Sequence, residues 1–580
     1  MKKLRLLSAL FFISLFSTFV FAQVGVEVDD EFYFDSLGWY LKGYVESLPQ
    51  VKPYPIFVIN DILCQVMEKG DKKEQKKAQE YRIRFFEKKW HISADGNADV
   101  KIKLPKKTDS SINNELIHHE LYSGGIYTAG DFLFKNIFGL SYNIGVRGFN
   151  NDVLLSQVNP KYIYDSRKQK LKPFAIDFGD VSLLPDSKIS FFMGNKNLFV
   201  TAGLNKISYS ISPYSNLILN PNAYQLLNTS FNYYGKHFSY VQIFALLSSN
   251  GFSQNYRLNK FLSFHSLNIP LFDNRFSISL FESAVFGNCF TPQYIMPVPF
   301  FIMNKIDGSQ ANVLAGLDLT WKPIKSLSIN SELLVDDLGI KDFIKFHWNS
   351  AHIRSAFRFG AIYSPENSIC NLMSVDYTIV TPYTYTAYIA GDDSFNTKDY
   401  VNAGICIGSE LPPNSDRVIV RLEFKPFSQL KISSFTSFVR HSNPYLSLSD
   451  QEVVDLLKSG VSFDSSGSVK TDSRGIDTAE SYTNFLRQEI VMSTVQVGVT
   501  GEYEFLTTRN MRISVIGGYK FEYTREDGID TPIYSNLKLP ENDVDGALSL
   551  AAVKKAKELW LSNLFDSFNN YLTIGFKIVY

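Results

Sequence analysis

The sequence has no excess of charge of either sign, because 58 lysines and arginines are matched by 58 aspartates and glutamates. Binding to nucleic acid calls for a basic surface, so the balance argues against a nucleic-acid partner. After the first 22 residues, no apolar stretch reaches the ~20 residues of a membrane-spanning helix. Four cysteines are too few for a disulfide scaffold.

Catalytic motifs are also missing. The segment His118–His119–Glu120 lacks the second histidine one helical turn further on that a zinc site needs. Neither a Gly-x-Ser-x-Gly motif nor a phosphate-binding loop occurs. The sequence therefore predicts a protein that is not an enzyme and needs no metal or cofactor. A Ser–His pair that meets only in three dimensions, as in an outer-membrane lipase, stays open as the alternative.

The chain begins with an export signal. MKKLRLLSALFFISLFSTFVFAQ combines a basic start, an apolar run and a small residue at Ala22, where we expect cleavage. Residues 28–92 follow with helical spacing of their apolar residues. We expect this segment to form a small helical bundle in the periplasm.

Three helix starts are expected in that bundle. Asp29 or Asp30 suits the first, Asn60 or Asp61 the second, and Asp71 the third after Gly70 ends its predecessor. The lysine-rich run from Lys72 to Lys77 is interpreted as a solvated helix face, with a docking patch as the alternative.

Most of the remaining chain alternates between apolar and polar residues with a period of two, which is typical of strands. In RVIVRLEFKPFSQLKI, one face of the strand carries Val418, Val420, Leu422 and Phe424, and the other carries Arg417, Arg421, Glu423 and Lys425. A soluble sandwich would bury the apolar face, and a membrane barrel would turn it to lipid. Alternation alone leaves both open.

Loop lengths favour the barrel. Counting back from the C-terminus, the connections alternate between long and short: 526–567, 508–510, 442–493, 427–429, 382–415, 365–368, 337–352, 324–326 and 287–311. Outer-membrane barrels keep short turns in the periplasm and long loops outside. Aromatic residues make up 15% of the chain, and barrels place them at the membrane interfaces.

The last strand, NNYLTIGFKIVY, alternates to the final residue. Its aromatic end resembles the signal that the outer-membrane insertion machinery recognises, carried here by Phe576, Ile578 and Tyr580. We therefore expect an all-β transmembrane fold: a signal peptide (1–22), a periplasmic helical domain (23–92) and an antiparallel β-barrel (93–580).

The charged faces of these strands are predicted to point into the lumen, where both signs are mixed. A porin that selects ions usually shows one dominant sign, so mixed signs predict a cross-linked, largely occluded interior with poor conductance. The predicted lumen charges are Asp318, Glu332, Arg417, Arg421, Glu423, Glu502, Glu504, Arg512, Lys520 and Glu522.

Two details break the pattern. Glu282 has the parity of Ile278 and Leu280 on the predicted lipid face. A bulge that flips the register is the favoured explanation, and a position above the apolar band is the alternative. For the cysteines, the pairs Cys64–Cys370 and Cys289–Cys406 are the only ones that do not cross the membrane, and free thiols are the favoured state.

The helical prefix followed by a barrel, together with three segments, resembles the capsule-assembly outer-membrane proteins of the Wzi type. The segments are FLSFHSLNIPLFDNRFSISLFESAVFG, FTPQYIMPVPFFIMNK and NVLAGLDLTWKPIKSLSINSELLVDDL. The resemblance implies an outer-membrane barrel of about 18 strands. We expect the protein to be a monomer in the outer membrane of a diderm bacterium. The resemblance also implies binding and anchoring of surface polysaccharide without catalysis.

Sugar binding needs aromatic faces beside carboxylates or amides. The loop TPYTYTAYIAGDDSFNTKDY supplies both, so the candidate polysaccharide-binding residues are Tyr383, Tyr385, Tyr388, Asp392, Asp393 and Tyr400. A plain solvated loop beside interface aromatics is the alternative. An outer-membrane channel or transporter for small or apolar solutes is the alternative function, and outer-membrane lipid surrounds the protein in either case.

Overall fold

The computed structural model describes residues 26–580 with several gaps. The gaps are 88–89, 105–116, 135–136, 152–154, 156–175, 215, 222, 224, 248–259, 288–291, 296–310, 339–343, 346–352, 367, 387–397, 403–404, 459–484, 509–510, 530–532, 535–536, 541–542 and 544–545. The predicted signal peptide lies outside the described residues.

Eighteen antiparallel strands of the described chain close into one barrel, in which β18 pairs with β1. In chain order they are β1 Trp90–Leu104, β2 Ile117–Phe134, β3 Phe138–Phe149, β4 Val181–Gly194, β5 Leu198–Asn205, β6 Leu226–Tyr234, β7 Ser239–Leu247, β8 Lys260–Leu271, β9 Phe276–Gly287, β10 Asn312–Trp321, β11 Leu327–Leu338, β12 Ile353–Tyr363, β13 Cys370–Val380, β14 Ser415–Phe427, β15 Leu430–His441, β16 Met492–Thr507, β17 Arg512–Asp527 and β18 Phe565–Val579. A short strand, Ile176–Phe178, adds to the edge of β4. The predicted fold class is confirmed.

Short and long connections alternate around the whole barrel. The short ones are 135–137, 195–197, 235–238, 272–275, 322–326, 364–369, 428–429 and 508–511. Because each strand runs antiparallel to the one before it, successive connections alternate between the two ends of the barrel. All the short connections therefore lie at one end, which we call the short-turn end. The opposite end is the long-loop end.

The outer surface of the barrel carries the exposed apolar residues. On β14, Val418 and Val420 are 42% and 40% exposed, whereas Ile419 between them is buried. The same outward exposure occurs at Val497 and Val499 on β16. An exposed apolar belt of this size around a closed sheet matches the lipid-facing surface of a transmembrane barrel.

Three α-helices precede the barrel in the described chain, α1 Glu31–Leu41, α2 Ile56–Lys69 and α3 Lys72–Arg82, and a π-helical turn, Ile83–Glu87, continues α3. Asp30 caps α1 by accepting from the Phe32 amide, and Asp71 caps α3 by accepting from the amides of residues 73 and 74, as predicted. The start of α2 was predicted wrongly. Its cap is Pro55 rather than Asn60 or Asp61, and the Pro55 carbonyl accepts from the amides of residues 58 and 59 at 3.0 and 3.1 Å without any side-chain cap.

The helical segment has a core of its own. Phe32 packs edge-on against Tyr81 and Phe85, with ring centroids 5.4 and 5.5 Å away. The carboxylate of Glu74 accepts from the Trp39 indole at 2.8 Å and from the Lys42 ammonium at 2.9 Å. Burial alone would raise the pKa of Glu74, yet the ammonium of Lys42 brings that pKa below its usual range.

This segment sits on the short-turn end. Lys425 near the end of β14 pairs with Glu31 at 2.9 Å, and the Asn371 amide of β13 donates to Asp35 at 3.0 Å. The Ser326 amide, in the turn after β10, donates to the Leu41 carbonyl at 2.9 Å. Hydrogen bonds to three separate turns or strand ends fix the helices against the barrel.

A second packed layer covers the long-loop end. It contains helix α4, Asp450–Lys458, and helix α5, Ala547–Ser562. Three different connections supply its buried residues: Tyr383, Tyr445, Leu446, Leu448, Val453, Val454, Leu456, Ile529, Ile533, Tyr534, Val553 and Trp560. We call this cluster the cap.

In the part of the chain that the structure describes, no helix has the length and apolar character needed to cross a bilayer. Cys64, Cys370 and Cys406 are free thiols, so neither of the two disulfides weighed from the sequence is formed. Cys289 lies outside the described residues.

Candidate functional site

The connection between β5 and β6 folds into the barrel instead of extending from it. Its short strand Ser208–Tyr209 pairs with Val51–Lys52 of the helical prefix. The Tyr209 ring packs against Phe264 and Phe281 of the wall, with centroids 5.0 and 5.8 Å away. We call residues 206–225 the inner loop.

The prefix also enters the lumen, so it is not only a separate bundle as expected. Glu27 accepts from the amide of Asn143 on β3 at 3.0 Å and from Lys188 on β4 at 2.7 Å. The side-chain amide of Gln50 donates to Ser279 of β9 at 2.7 Å. The spacing of apolar residues predicted the helices, but the extended segments between them carry no periodicity that would show where they run.

Lys52 joins the prefix to the inner loop. Its ammonium donates to the carbonyls of Ser210, Ile211 and Ser212 at 2.8, 3.2 and 2.7 Å. The residue is only 1% exposed. An ammonium so deeply buried needs partners on all its protons, and three backbone carbonyls provide them.

The connection between β13 and β14 folds inward as well and rests on the inner loop. The hydroxyls of Tyr385 and Tyr400 donate to the carbonyls of Leu217 and Ile218 at 2.7 and 3.0 Å. Their rings stack on each other at 5.8 Å. A fully buried pair, Lys260 of β8 with Asp399, ties this connection to the wall.

Three of the predicted polysaccharide-binding residues are therefore core residues of the loops. Tyr383, Tyr385 and Tyr400 are 1%, 0% and 0% exposed, so their rings offer no face to a sugar. The positive φ angles of Tyr383 and Tyr385, 61° and 72°, mark a tightly determined turn. The other three candidates, Tyr388, Asp392 and Asp393, lie outside the described residues.

A buried ionic cluster has members on five adjacent strands beside the inner loop. Asp376 of β13 accepts from Arg358 of β12 at 2.6 Å and from Arg421 of β14 at 2.9 Å. Glu332 of β11 accepts from the inner-loop amide of Leu217 at 3.0 Å. Asp318 of β10 stands opposite Glu332 in register. Sequence analysis missed Arg358 and Asp376, although both alternate with apolar neighbours.

The other predicted lumen charges form separate local contacts. Arg417 binds Glu410, Ser433 donates to Glu423 at 2.5 Å, and Arg512 lies 3.8 Å from Glu504. Glu502 stands opposite Lys431 in register. Both signs are mixed, as predicted, but the charges form pairs and one cluster rather than a single network. Within the described residues, no group of three or more His, Cys, Asp or Glu could hold a metal ion.

The lumen is filled unequally. The wall from β7 to β11 is covered by an apolar core that the two in-folded connections share with Ile243, Leu262 and Leu334. On the opposite wall, the inward-facing residues Thr500, Lys577 and His119 are exposed. A cavity of about 60 Å³ also remains beside Glu27, Asn143 and Lys188. The predicted occlusion therefore applies to one side of the barrel.

The bulge that was expected at Glu282 is not formed. Its strand β9 pairs without a register shift with both β8 and β10, so Glu282 does face outward. It stands directly opposite His265, and the imidazole Nε2 lies 3.1 Å from its carboxylate. Just above, Tyr294 of the β9–β10 connection stacks on Phe286 at 4.6 Å, so this connection covers part of the outer wall.

The C-terminal residues close the barrel. The amide of Tyr580 donates to the Ile92 carbonyl at 2.8 Å, and the Ile92 amide returns a bond of 3.1 Å to Tyr580. Phe576 and Tyr580 are 48% and 57% exposed on the outer surface at the short-turn end. Ile578 continues the same face.

No protein-family model and no curated protein matches this sequence. Among solved structures, the chain is similar to Wzi, an outer-membrane protein involved in group 1 capsule assembly in Escherichia coli and described as a carbohydrate-binding β-barrel. The match covers 95% of this chain and 99% of that one, with 10% identity and a TM-score of 0.51. The resemblance predicted from the sequence is confirmed at the level of the fold.

Two further solved structures match less closely. OpdQ of Pseudomonas aeruginosa has 9% identity and a TM-score of 0.37 over 84% of this chain and 97% of that chain. A BenF-like porin of Pseudomonas fluorescens has 9% identity and a TM-score of 0.38 over the same shares. Likeness at this level carries no functional argument.

Proposed function

We propose that this protein is an outer-membrane barrel of a diderm bacterium that binds and anchors surface polysaccharide, without catalysis. The short-turn end and its helices face the periplasm, and the long loops and the cap face the outside. The chain acts as a monomer in outer-membrane lipid. The insertion machinery recognises its exposed C-terminal residues Phe576, Ile578 and Tyr580.

The observation that carries the proposal is the packed interior. The inner loop and the β13–β14 connection share a buried core with the barrel wall, and Lys52 holds the inner loop to the prefix. A barrel built for large solutes would leave this volume to water. Here packed side chains fill this volume and stiffen the long-loop end. A stiff outer end suits a protein that holds a ligand outside the barrel. The fold shared with Wzi supports the same conclusion.

The cap supplies the rigid base for such binding. Its core brings α4, α5 and the start of the β13–β14 connection together through Tyr383, Val454 and Val553. Residues on a packed base bind with a smaller ordering cost than residues on a free loop. Tyr388, Asp392 and Asp393 follow directly from this base in the sequence, and they remain our candidate sugar contacts.

The proposal is tested with the purified barrel and polysaccharide isolated from the same cells. We expect saturable binding that weakens when Tyr388→Ala, Asp392→Asn and Asp393→Asn are combined. Lys196→Gln at the short-turn end is the matched control, because its partner Asp61 is on the same exposed surface. Equal binding by all three proteins would remove the loop from the proposal, and no binding by any would contradict the proposal itself.

A channel for small solutes is the second candidate, and the exposed inner wall at Thr500 and Lys577 favours it. Conductance in planar bilayers separates the two functions. The anchoring function predicts small or absent single-channel steps, because the in-folded connections fill one side of the lumen and the cap covers the long-loop end. Large steady steps in the unmodified protein would support the channel.

A further inference from the structure

The inner wall opposite the packed core carries a row of basic and aromatic side chains. Lys520 of β17, Tyr571 of β18, Lys101 of β1 and His119 of β2 stand directly opposite one another in four adjacent strands. All four have the parity of the lumen. Lys103 follows two residues beyond Lys101, on the same face. We call Lys101, Lys103, Lys520, Tyr571 and His119 the basic row.

Aromatic rings hold the three ammonium groups of the basic row in place. The Lys520 nitrogen lies 3.9 Å from the Tyr571 ring centroid and the Lys101 nitrogen 5.4 Å from it. The Lys103 nitrogen lies 4.4 Å from the Phe565 centroid. Cation–π contacts of this kind restrict long side chains before any ligand arrives, which lowers the ordering cost of binding.

Two of the three carboxylates near the basic row, Glu522 and Asp99, accept from neutral donors. Glu522 accepts from Gln496 at 2.8 Å, from Asn569 at 3.1 Å and from the Tyr571 hydroxyl at 3.2 Å. Asp99, two residues before Lys101 on β1, accepts from the Thr573 hydroxyl at 2.5 Å. A third, Asp527, lies at the end of β17. The amides and carboxylates lie beside the three ammonium groups, so hydroxyl-binding and anion-binding groups share one surface.

Part of the basic row lies at the long-loop end of the barrel wall. Lys101 and Lys103 lie within the last four residues of β1, at that end of the strand. His119 is exposed, as is Thr500 two strands beyond Tyr571. The described residues of the in-folded connections share their core with the far wall, from β7 to β11.

We infer that the basic row binds carboxylate-bearing sugar units, so that the polysaccharide held by this protein is acidic. The inference rests on the proposed anchoring function and names its ligand class. Lysine ammonium groups pair with the sugar carboxylates, while Gln496 and Glu522 bind neighbouring hydroxyls. Lys520 and Lys101 lie on the two strands that flank Tyr571, so they are separated by two strand spacings, about 10 Å. This separation suits successive acidic units of one polysaccharide chain better than a single small anion.

The test uses oligomannuronate as the probe and the same oligomer with its carboxyls reduced to hydroxymethyl groups. We expect the purified full-length barrel to bind the acidic oligomer and to bind the reduced one at least about tenfold more weakly. Added salt should weaken only the acidic interaction, because exposed charges are screened.

Variants then locate the site. Lys101→Gln, Lys103→Gln and Lys520→Gln combined should lower affinity for the acidic oligomer roughly 10- to 100-fold, and the matching three arginine substitutions should keep it. Lys577→Gln is the control, because this exposed lysine faces the lumen on β18 at the short-turn end. If the triple glutamine variant fails to fold, the single Lys520→Gln variant replaces it.

The outcomes separate this inference from the proposed function. Equal binding of the acidic and reduced oligomers, or no loss in the glutamine variant, would overturn the inference. If the cells' own polysaccharide still binds in that case, anchoring stands with another ligand class. If the acidic oligomer binds at the basic row but the cells' own polysaccharide does not, the site stands and anchoring falls.

Discussion

Replacing Lys52 with methionine should release the inner loop from the prefix while leaving the barrel closed. Methionine keeps most of the apolar stem and removes a charged donor to three carbonyls, at 2.8, 3.2 and 2.7 Å. Hydrogen bonds from a charged group contribute roughly 1.5–3 kcal/mol each. Burying the ammonium costs several kcal/mol in return.

The expected net loss is therefore about 2–4 kcal/mol in the docking of the inner loop. That loss corresponds to roughly 30- to 1000-fold faster opening. Hydrogen exchange measures it directly, because the amides of Tyr209 and Ser210 in this loop donate to the carbonyls of Leu219 in the loop and Gln50 in the prefix. Their exchange should accelerate, and amides of the β16–β17 pair should not change.

Lys196→Met is the matched control, since its exposed pair with Asp61 contributes little. The reasoning would be refuted if exchange in residues 207–219 stayed as slow as in the unmodified protein. It would also be refuted if the whole barrel lost protection together, because Lys52 would then support the strands rather than the loop.

Three further predictions concern other parts of the molecule. The pKa of Glu74 lies below its usual range, so its pairing stabilises the helical segment above about pH 4.3, the ordinary glutamate pKa, and this stability is lost as pH falls through the lowered pKa. Fluorescence of Trp39, which donates to Glu74, should report this acid transition, and Glu74→Gln should remove the dependence. Glu282→Leu should destabilise the barrel by about 1–3 kcal/mol in thermal unfolding by leaving His265 with one partner fewer, and Glu282→Leu with His265→Leu should recover part of the loss. Tyr580→Ala should reduce the amount of assembled, heat-modifiable barrel in the membrane severalfold, whereas Tyr580→Phe should not.

A specific result would contradict each of these three predictions. Glu46→Gln, at a well-exposed pair, is the control for the acid transition, and an unchanged transition in Glu74→Gln would remove the assigned cause. Additive losses at Glu282 and His265 would mean that the two side chains are not coupled. Full assembly of Tyr580→Ala would show that the terminal aromatic is not part of the assembly signal.

The strands could be predicted because two solvents act on them. Val418 and Val420 face lipid while Arg421 faces the lumen, and this difference leaves a period of two in the sequence. Turn positions followed for the same reason, since the alternation stops where pairing stops. Helix caps such as Asp30 and Asp71 were equally local signals.

The interior could not be predicted in the same way. Tyr385 and Tyr400 lie in a polar, irregular segment, and only long-range contacts with the inner loop bury them. A bulky residue in such a loop looks the same in sequence whether it faces solvent or a partner loop. One signal was available at Gly408, where a side chain would come within 2.4 Å of the Tyr385 ring.

Glu282 shows the opposite failure. The period of two was correct there, and the mistake was to prefer a bulge over an outward-facing charge. A carboxylate on this surface is tolerated because His265 stands directly opposite it and the β9–β10 connection packs just above. Neither partner can be identified from the spacing within β9 alone.

The most direct test of anchoring is the distribution of surface polysaccharide in cells that lack this protein. The account predicts that total polysaccharide stays normal while most of it moves from the cell surface to the medium, and that the intact gene restores retention. Normal retention in cells lacking the protein, with the same total amount, would contradict the account.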